Sequence, residues 1–353
     1  MTSSITIGKR RVGPGHPTYI IAEISSNHNQ DFATARDLVH AAKVAGADAV
    51  KLQTFTPEIH TLDLDREIFR VKGGTQWDDQ TLFDLYRRCS MPWDWQPRLK
   101  EIADGLGIDL FSAAADPSGV DFLEKMGVPA HKVASFEIVD LALIGRMART
   151  GKPLIISTGM ANLCEIQEAV DAARDAGAGE IALLKCTSSY PAPVDEMNLL
   201  TIPHLQEMFD LPVGLSDHTL GNVASIAAVT LGASIVEKHF TLSRSIPTPD
   251  ASFSLEPAEF RNMVDAVRDA EKVMGRVYYG MTEHEKSGLV FRRSLFVIKD
   301  MKKGDIFSEE NVRSIRPGFG LKPKYLNHIL GKRAECDIKR GTPLRCSLVD
   351  MGS

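Results

Sequence analysis

The feature that most constrains the fold is a recurring alternation of short apolar, often β-branched runs with longer stretches of helical periodicity. Strand-like runs fall at 19–24, 49–53, 109–112, 130–133, 153–157, 181–185, 213–215 and 235–238, eight in all. Helical patterns at 32–45, 93–106, 141–149 and 163–175 lie between them, several closed by Gly46, Gly107, Gly151 or Gly177, where a left-handed C-terminal residue is expected. Eight strands alternating with helices predict an α/β fold, a closed parallel (β/α)8 TIM barrel rather than an open doubly wound sheet. No glycine-rich dinucleotide fingerprint follows the first run, which also argues against the open sheet.

One gap, 54–92, is longer than the rest and carries Trp77 and Tyr86; it is expected to be an inserted loop and helix on the active face. A last helical pattern at 259–274 is followed by a linker at 275–286. Beyond it Lys303-Gly304-Asp305, Arg316-Pro317-Gly318-Phe319-Gly320 and Lys339-Arg340-Gly341-Thr342-Pro343 punctuate short runs with turn residues. The expected organisation is a catalytic barrel over 1–280 and a small loop-rich domain over 287–353, a division that 353 residues allow.

A net charge of −5 argues against nucleic acid as the main partner, so an anionic substrate would have to be met by a local cluster of basic side chains. There is no signal-peptide pattern and no apolar run of membrane-spanning length, and a cytoplasmic location is expected. The five cysteines, Cys89, Cys164, Cys186, Cys336 and Cys346, show no zinc or redox spacing and read as free thiols, Cys186 as small buried filler.

In a barrel the residues that close each strand converge on one face. Here these are Glu23, Asn27 and His28; Lys51 and Gln53; Ser112 and Asp116; Lys132, Ser135 and Glu137; Ser157 and Thr158. Lys185, Thr187, Ser188 and Tyr190 follow, then Ser216, Asp217 and His218, then Glu237, Lys238 and His239. Interleaved lysines and hydroxyls suit a phosphate or carboxylate, while Lys238 beside Glu237 and Lys51 opposite Glu23 also suit simple neutralisation of buried charge. His218 and His239 close neighbouring strands; either alone would satisfy backbone groups, but together they can share one divalent cation with positions left open for substrate oxygens. Glu23 and Glu137 fit a base and an acid if their surroundings separate their pKa values. Asp250, on the loop after the eighth strand, fits a contact to a polyhydroxylated ligand or a cap on the turn before Phe253.

Ile21-Ala22-Glu23-Ile24-Ser25-Ser26-Asn27-His28-Asn29, Val50-Lys51-Leu52-Gln53-Thr54, Ser157-Thr158-Gly159-Met160, Gly214-Leu215-Ser216-Asp217-His218-Thr219 and Glu237-Lys238-His239-Phe240 together resemble the sialic acid synthase family. The resemblance covers nearly the whole chain, including a C-terminal region similar to that family's antifreeze-like (SAF) domain. Ser135-Phe136-Glu137-Ile138, Leu183-Leu184-Lys185-Cys186, Tyr190-Pro191-Ala192-Pro193 and Phe253-Ser254-Leu255-Glu256-Pro257 resemble the branch that makes pseudaminic acid.

The resemblance implies condensation of phosphoenolpyruvate with an open-chain N-acetylated amino sugar, giving a nine-carbon 3-deoxy-2-keto acid and phosphate. It implies manganese or magnesium on His218 and His239, polarising the sugar aldehyde. It implies that Lys51, Lys132, Ser135, Ser157 and Ser216 hold phosphoenolpyruvate, with Ser188 among the substrate-binding residues. Glu23 would orient or deprotonate water or a sugar hydroxyl, Glu137 would assist proton transfer, and Gln53, Tyr190 and Asp250 would contact the sugar. Arg316 resembles an arginine offered by one subunit to its partner's site, which implies a swapped homodimer.

Two departures stand out. Ala113-Ala114-Ala115 replaces a hydroxyl residue and Pro-Phe after the third strand, so the anion site is expected to lean on Ser112 and the lysines; Thr248 replaces a glycine before Pro249-Asp250. Both bear on sugar choice. The expected acceptor is a diacetamido-trideoxyhexose, whose methyl group calls for an apolar surface, with Phe55, Phe136, Trp77 and Phe253 as candidates. N-acetylmannosamine or the legionaminic acid precursor would keep the same chemistry. A non-catalytic carbohydrate-binding protein would need neither lysines nor paired histidines.

Overall fold

The eight apolar runs form one closed parallel barrel in the computed structural model, which describes residues 4–350. Ahead of the barrel, β1 (Ile5–Ile7) and β2 (Arg10–Val12) pair antiparallel. Strands of three residues show no readable period, so this hairpin has no signature in the residue pattern. It lies against the N-terminal ends of the barrel strands. The Thr6 amide donates to Glu180 Oε1 at 2.9 Å, just before β8 (Ile181–Cys186), and Arg10 pairs with Asp48. Gly8 turns the hairpin at φ +58, and an added Cβ there would lie 2.6 Å from Asp109 Oδ1.

The other barrel strands are β3 (Tyr19–Glu23), β4 (Ala49–Thr54), β5 (Asp109–Ala114), β6 (His131–Val133), β7 (Leu154–Ser157), β9 (Val213–Asp217) and β10 (Ile235–His239). They run in sequence order around the barrel, and β10 pairs with β3 to close it. Alternation sorts each strand into two layers. Ile20, Ala22, Val50, Leu52, Leu110 and Val236 pack outward against the helices, while Ile21, Ala49 and Phe111 share the other core with Ile5, Ile7 and Val12 of the hairpin.

Helices α1 (Phe32–Val44), α2 (Pro57–His60), α3 (Leu82–Cys89), α4 (Trp95–Leu106) and α5 (Pro117–Met126) belong to the first half of the barrel. The second half carries α6 (Leu141–Ala148), α7 (Leu163–Asp175), α8 (Thr201–Phe209), α9 (Val223–Thr230) and α10 (Pro257–Met274). Local signals set their ends: Asn162 and Glu165 form a reciprocal capping box on α7, and Asp116 caps α5, with Pro117 in its first turn. Asp116, one of the strand-end candidates, is thus occupied in accepting from the Gly119 amide at 2.8 Å. The insert at 54–92 contains α2 and α3, more helix than its irregular pattern suggested.

The chain divides into two units, one ending at Gly275 and the other beginning at Arg276. The second has its own small core of Leu295, Val297, Phe307, Val312 and Leu344 around the antiparallel pair β11 (Ser294–Val297) and β12 (Val312–Ile315). Among the described residues no helix is long and apolar enough to cross a membrane.

Candidate active site

At the C-terminal ends of the barrel strands lies a cavity of about 430 Å³. Strand register decides what faces it. Lys51 pairs with Glu23 and Glu23 with His239; Gln53 pairs with Ala113 and Ala113 with Lys132; Ser216 pairs with Glu237. Neighbours matched in a parallel sheet point to the same side, so these rows present their side chains together.

The same alternation removes several strand-end candidates. Ser112 pairs with Leu52 of the outward layer, and its hydroxyl lies 2.7 Å from Thr54 Oγ1; it is no substitute for the hydroxyl lost at Ala113-Ala114-Ala115, which line the cavity. Lys185 is matched to Leu215, and its ammonium donates to the Cys186 carbonyl at 2.8 Å. Lys238 is fully buried on the outer side, 2.9 Å from Asp217, and not paired with Glu237. Thr158 donates to the Leu184 carbonyl, Asn27 donates to the Phe240 carbonyl, and His28 packs edge-on to Trp95.

Glu237 is the hub of the polar end, and the strand-end reading did not single it out. Its Oε1 accepts from Lys51 Nζ at 2.9 Å and from Ser216 Oγ at 3.0 Å. Its place two residues before His239 is the signal that alternation could have supplied. Burial disfavours its charge, but Lys51 and Lys132 overcome that and hold it well below the usual carboxylate range. Burial likewise opposes charge on Lys51, and the two carboxylates Glu23 and Glu237 outweigh it and raise the ammonium.

Glu23 lies 3.1 Å from Lys51 and accepts from Gln53 Nε2 at 3.1 Å. It does not line the cavity itself: level with Lys51 and His239 in the sheet, it is covered by its contacts with Lys51 and Gln53, and burial pushes its carboxyl up against the pull of Lys51. Lys132 donates to Ser157 Oγ at 2.6 Å, and burial draws its ammonium down to about 8 despite Glu237. This end of the cavity therefore offers two ammonium groups against one firmly ionised carboxylate, an arrangement suited to an anion.

Ser135 and Ser157 line the cavity, and the Gly159 amide donates to Ser135 Oγ at 3.2 Å. Ser188 is not on the cavity wall; its Oγ is where a Cβ on Gly159 would go, 2.1 Å away. Glu137 lines the cavity with its carboxyl raised by burial, Lys132 acting against the shift.

The imidazoles of His218 and His239 have centroids 5.3 Å apart. His218 Nδ1 lies 3.0 Å from the Thr187 carbonyl, which accepts its proton and leaves the other ring nitrogen with a lone pair. His239 Nδ1 is buried without a partner, and burial together with His218 drives the ring well below its usual pKa, keeping it neutral. Two such imidazoles fit a divalent cation, a use for the orphaned nitrogen. Among the described residues no group of three or more His, Cys, Asp or Glu has the arrangement of a metal site, so the remaining positions would fall to water or substrate.

Cys186 is more than filler: its Sγ lies 3.7 Å from His218 Nδ1. Burial would raise this thiol, but contact with His218 brings it down to about 6; the same contact raises His218 against its own burial, and a cation would take the place of that proton.

Tyr190 packs on His218 with centroids 4.3 Å apart, and burial keeps its hydroxyl protonated. Asp250 lines the cavity, gives no cap to the following turn, and accepts from the Ser26 amide at 3.3 Å. Opposite the lysines the wall is apolar: Phe55, Val71, Leu82 and Leu85 from the insert and its flank, with Trp77 and Tyr86. Of the aromatic candidates, Phe55, Phe136 and Trp77 reach the cavity and Phe253 lies behind it against Trp77. Arg316 belongs to the second unit, where it is exposed and has no acidic partner among the described residues.

A TIM barrel with buried lysines and a histidine pair at its C-terminal mouth defines the class: an enzyme that takes an anionic substrate at the strand ends. The chain belongs to the NeuB family, whose model matches residues 38–279, and a SAF domain matches residues 292–349. It is 43% identical to a pseudaminic acid synthase of Helicobacter pylori over 93% of this chain and 96% of that one. It is 44% identical to a pseudaminic acid synthase of Campylobacter jejuni, covering 93% and 95% of the two chains. Among solved structures, an N-acetylneuraminic acid synthetase from Leptospira borgpetersenii in complex with citrate superposes with a TM-score of 0.73 at 29% identity, covering 83% of this chain and 97% of that one.

Proposed function

We propose that the chain condenses phosphoenolpyruvate with 2,4-diacetamido-2,4,6-trideoxy-L-altrose to give pseudaminic acid and phosphate. The observation that carries this reading is one cavity in which Lys51 and Ser216 hold ionised Glu237 and Lys132 holds Ser157, beside the His218 and His239 pair. The full-length similarity to two pseudaminic acid synthases supports the choice of sugar, as does the apolar wall, which suits a methyl group better than a hydroxyl.

Lys51 and Lys132 hold the phosphate and carboxylate of phosphoenolpyruvate, with Ser135, Ser157 and Ser216 as hydroxyl donors. Glu23 keeps Lys51 and Gln53 in place. Manganese or magnesium held by His218 and His239 would supply Lewis acidity to the sugar aldehyde. The methylene carbon of phosphoenolpyruvate gives its π electrons to the aldehyde carbon, forming the new C–C bond while the aldehyde oxygen takes a proton. Water then adds at the phosphate-bearing carbon and releases a proton, and loss of phosphate leaves the ketone. Glu137, with its raised pKa, moves a proton in this sequence, while Gln53, Tyr190 and Asp250 orient the sugar.

The working form is a homodimer in which Arg316 of each chain serves its partner's cavity. An unpaired, exposed Arg316 supports this, as do exposed Val277, Tyr279 and Phe291 in the same unit, apolar surface suited to a second copy. Five free cysteines suit a cytoplasmic setting.

The test is metal-dependent phosphate release from phosphoenolpyruvate with this sugar, N-acetylmannosamine and the legionaminic acid precursor side by side. Phosphate only with the first supports the proposal; phosphate only with another keeps the chemistry and replaces the substrate; none with any of them points to a carbohydrate-binding protein.

A further inference from the structure

We infer that Trp77 is a positioning residue for the acceptor sugar, fixing the loop that carries Asp250 and bracing Tyr190 from the same ring. The inference rests on the condensation proposed above and concerns its sugar half. Asp250 follows the last barrel strand on an irregular loop, and among the described residues its carboxylate has one long hydrogen bond, 3.3 Å from the Ser26 amide. Its place in the cavity therefore depends on what holds the backbone around it.

The insert supplies that hold. Trp77 Nε1 donates to the Pro249 carbonyl at 3.1 Å, and Gln76 Nε2 donates to the same oxygen at 3.2 Å. Ser252 Oγ donates back to Gln76 Oε1 at 2.8 Å. The peptide just before Asp250 and the side chain two residues after it are both gripped from one dipeptide. The Trp77 ring also lies 5.7 Å from Tyr190 and 6.4 Å from Phe253, and Tyr190 and Phe253 are themselves 5.3 Å apart. One indole thus spans the two residues assigned to the sugar.

The dipeptide is itself held rigidly. Asp78 accepts from the Gly74 amide at 2.8 Å, the Thr75 amide at 3.0 Å and Thr75 Oγ1 at 2.7 Å, and Gln80 Nε2 donates to the Trp77 carbonyl at 2.9 Å. None of these contacts reaches Lys51, Lys132 or Ser157, so the clamp acts on the acceptor and leaves the anion site alone.

The test compares Trp77→Phe, which keeps a ring and loses the N–H donor, with Trp77→Ala, each assayed on whichever of the three sugars the wild-type enzyme turns over. The Phe variant is expected to raise KM for the sugar by about 3- to 10-fold, the scale of one neutral hydrogen bond, and Ala by more, with KM for phosphoenolpyruvate and Tm unchanged in the Phe variant. A sugar KM that stays at the wild-type value in the Phe variant overturns the inference while the proposed reaction stands. An equal rise in both KM values also overturns it, since that marks a general loss of structure. If wild-type enzyme turns over none of the three sugars, the proposed function falls and this inference with it. Should the Ala variant fail to fold, the Phe variant alone decides.

Discussion

Glu237 and Lys51 meet at 2.9 Å inside the barrel, on strands separated by β3, and both are almost fully buried. A pair in this position is strongly asymmetric in its energetics. Removing Glu237 leaves Lys51 with Glu23, 3.1 Å away, as its remaining carboxylate, so the loss falls below that of a wholly unpaired buried charge. Glu237→Ala is expected to lose about 1–3 kcal/mol in urea unfolding, the scale of buried donors left unsatisfied. Glu237→Gln, which keeps an acceptor for Ser216 and Lys51, should lose distinctly less. Equal losses in the two variants would show that the charge of Glu237 is not what matters.

Lys132 predicts a pH limb. Its ammonium is held down to about 8 from an ordinary value of 10.5 by burial, so the cation assigned to phosphoenolpyruvate in the proposed reaction is lost as pH rises through about 8. kcat/KM for phosphoenolpyruvate should fall above that pH. The contribution to stability runs the other way. Between about 8 and 10.5 the unfolded chain binds the proton more tightly than the folded one, so folding gains from this group as pH rises across the window. A kcat/KM profile that stays flat to pH 10 would remove Lys132 from the anion site.

Metal removal should separate binding from turnover. A chelator is expected to suppress phosphate release by about 100-fold or more, with manganese restoring it. His239→Ala should show the same loss without restoration. Phosphoenolpyruvate binding followed by calorimetry should persist in both cases, because the proposed site assigns it to the lysines and not to the imidazoles.

Gly159 is a packing test of the anion site. A Cβ there would lie 2.1 Å from Ser188 Oγ and 2.7 Å from Ser135 Oγ, so both hydroxyls must move. Overpacking of this kind costs about 1–3 kcal/mol. Gly159→Ala should raise KM for phosphoenolpyruvate by about 10-fold on the energy scale of tenfold per 1.4 kcal/mol, with little change for the sugar.

The barrel was legible in the sequence because its signal is redundant: eight apolar runs, each bounded by turn residues, leave few architectures. The site was legible only by halves. The strand-end residues Lys51, Lys132, Glu237 and His239 do line the cavity, but the same list drew in Ser112, Lys185 and Lys238, which alternation turns toward the helices. Glu237 was given no role there, since its neighbour Lys238 offered a partner in sequence that lies on the opposite face in space. The clamp of Trp77 on the Pro249 carbonyl joins residues 172 positions apart and leaves no local pattern to read.

The β1–β2 hairpin lies across the starts of the barrel strands, and its Ile5, Ile7 and Val12 pack with Ile21, Ala49 and Phe111 in one core, so the barrel offers its ligands only the end where the strands finish. In the proposed reaction both substrates would enter and both products leave at that end. In that reaction phosphate would be released beside lysines that lie within their strands, whereas Asp250 comes only after its strand has ended. It would leave along the route by which the sugar arrived, with the nine-carbon product between it and solvent. Traffic through a dead end of this kind favours a fixed order of departure, and the residues at its mouth govern exit as well as entry.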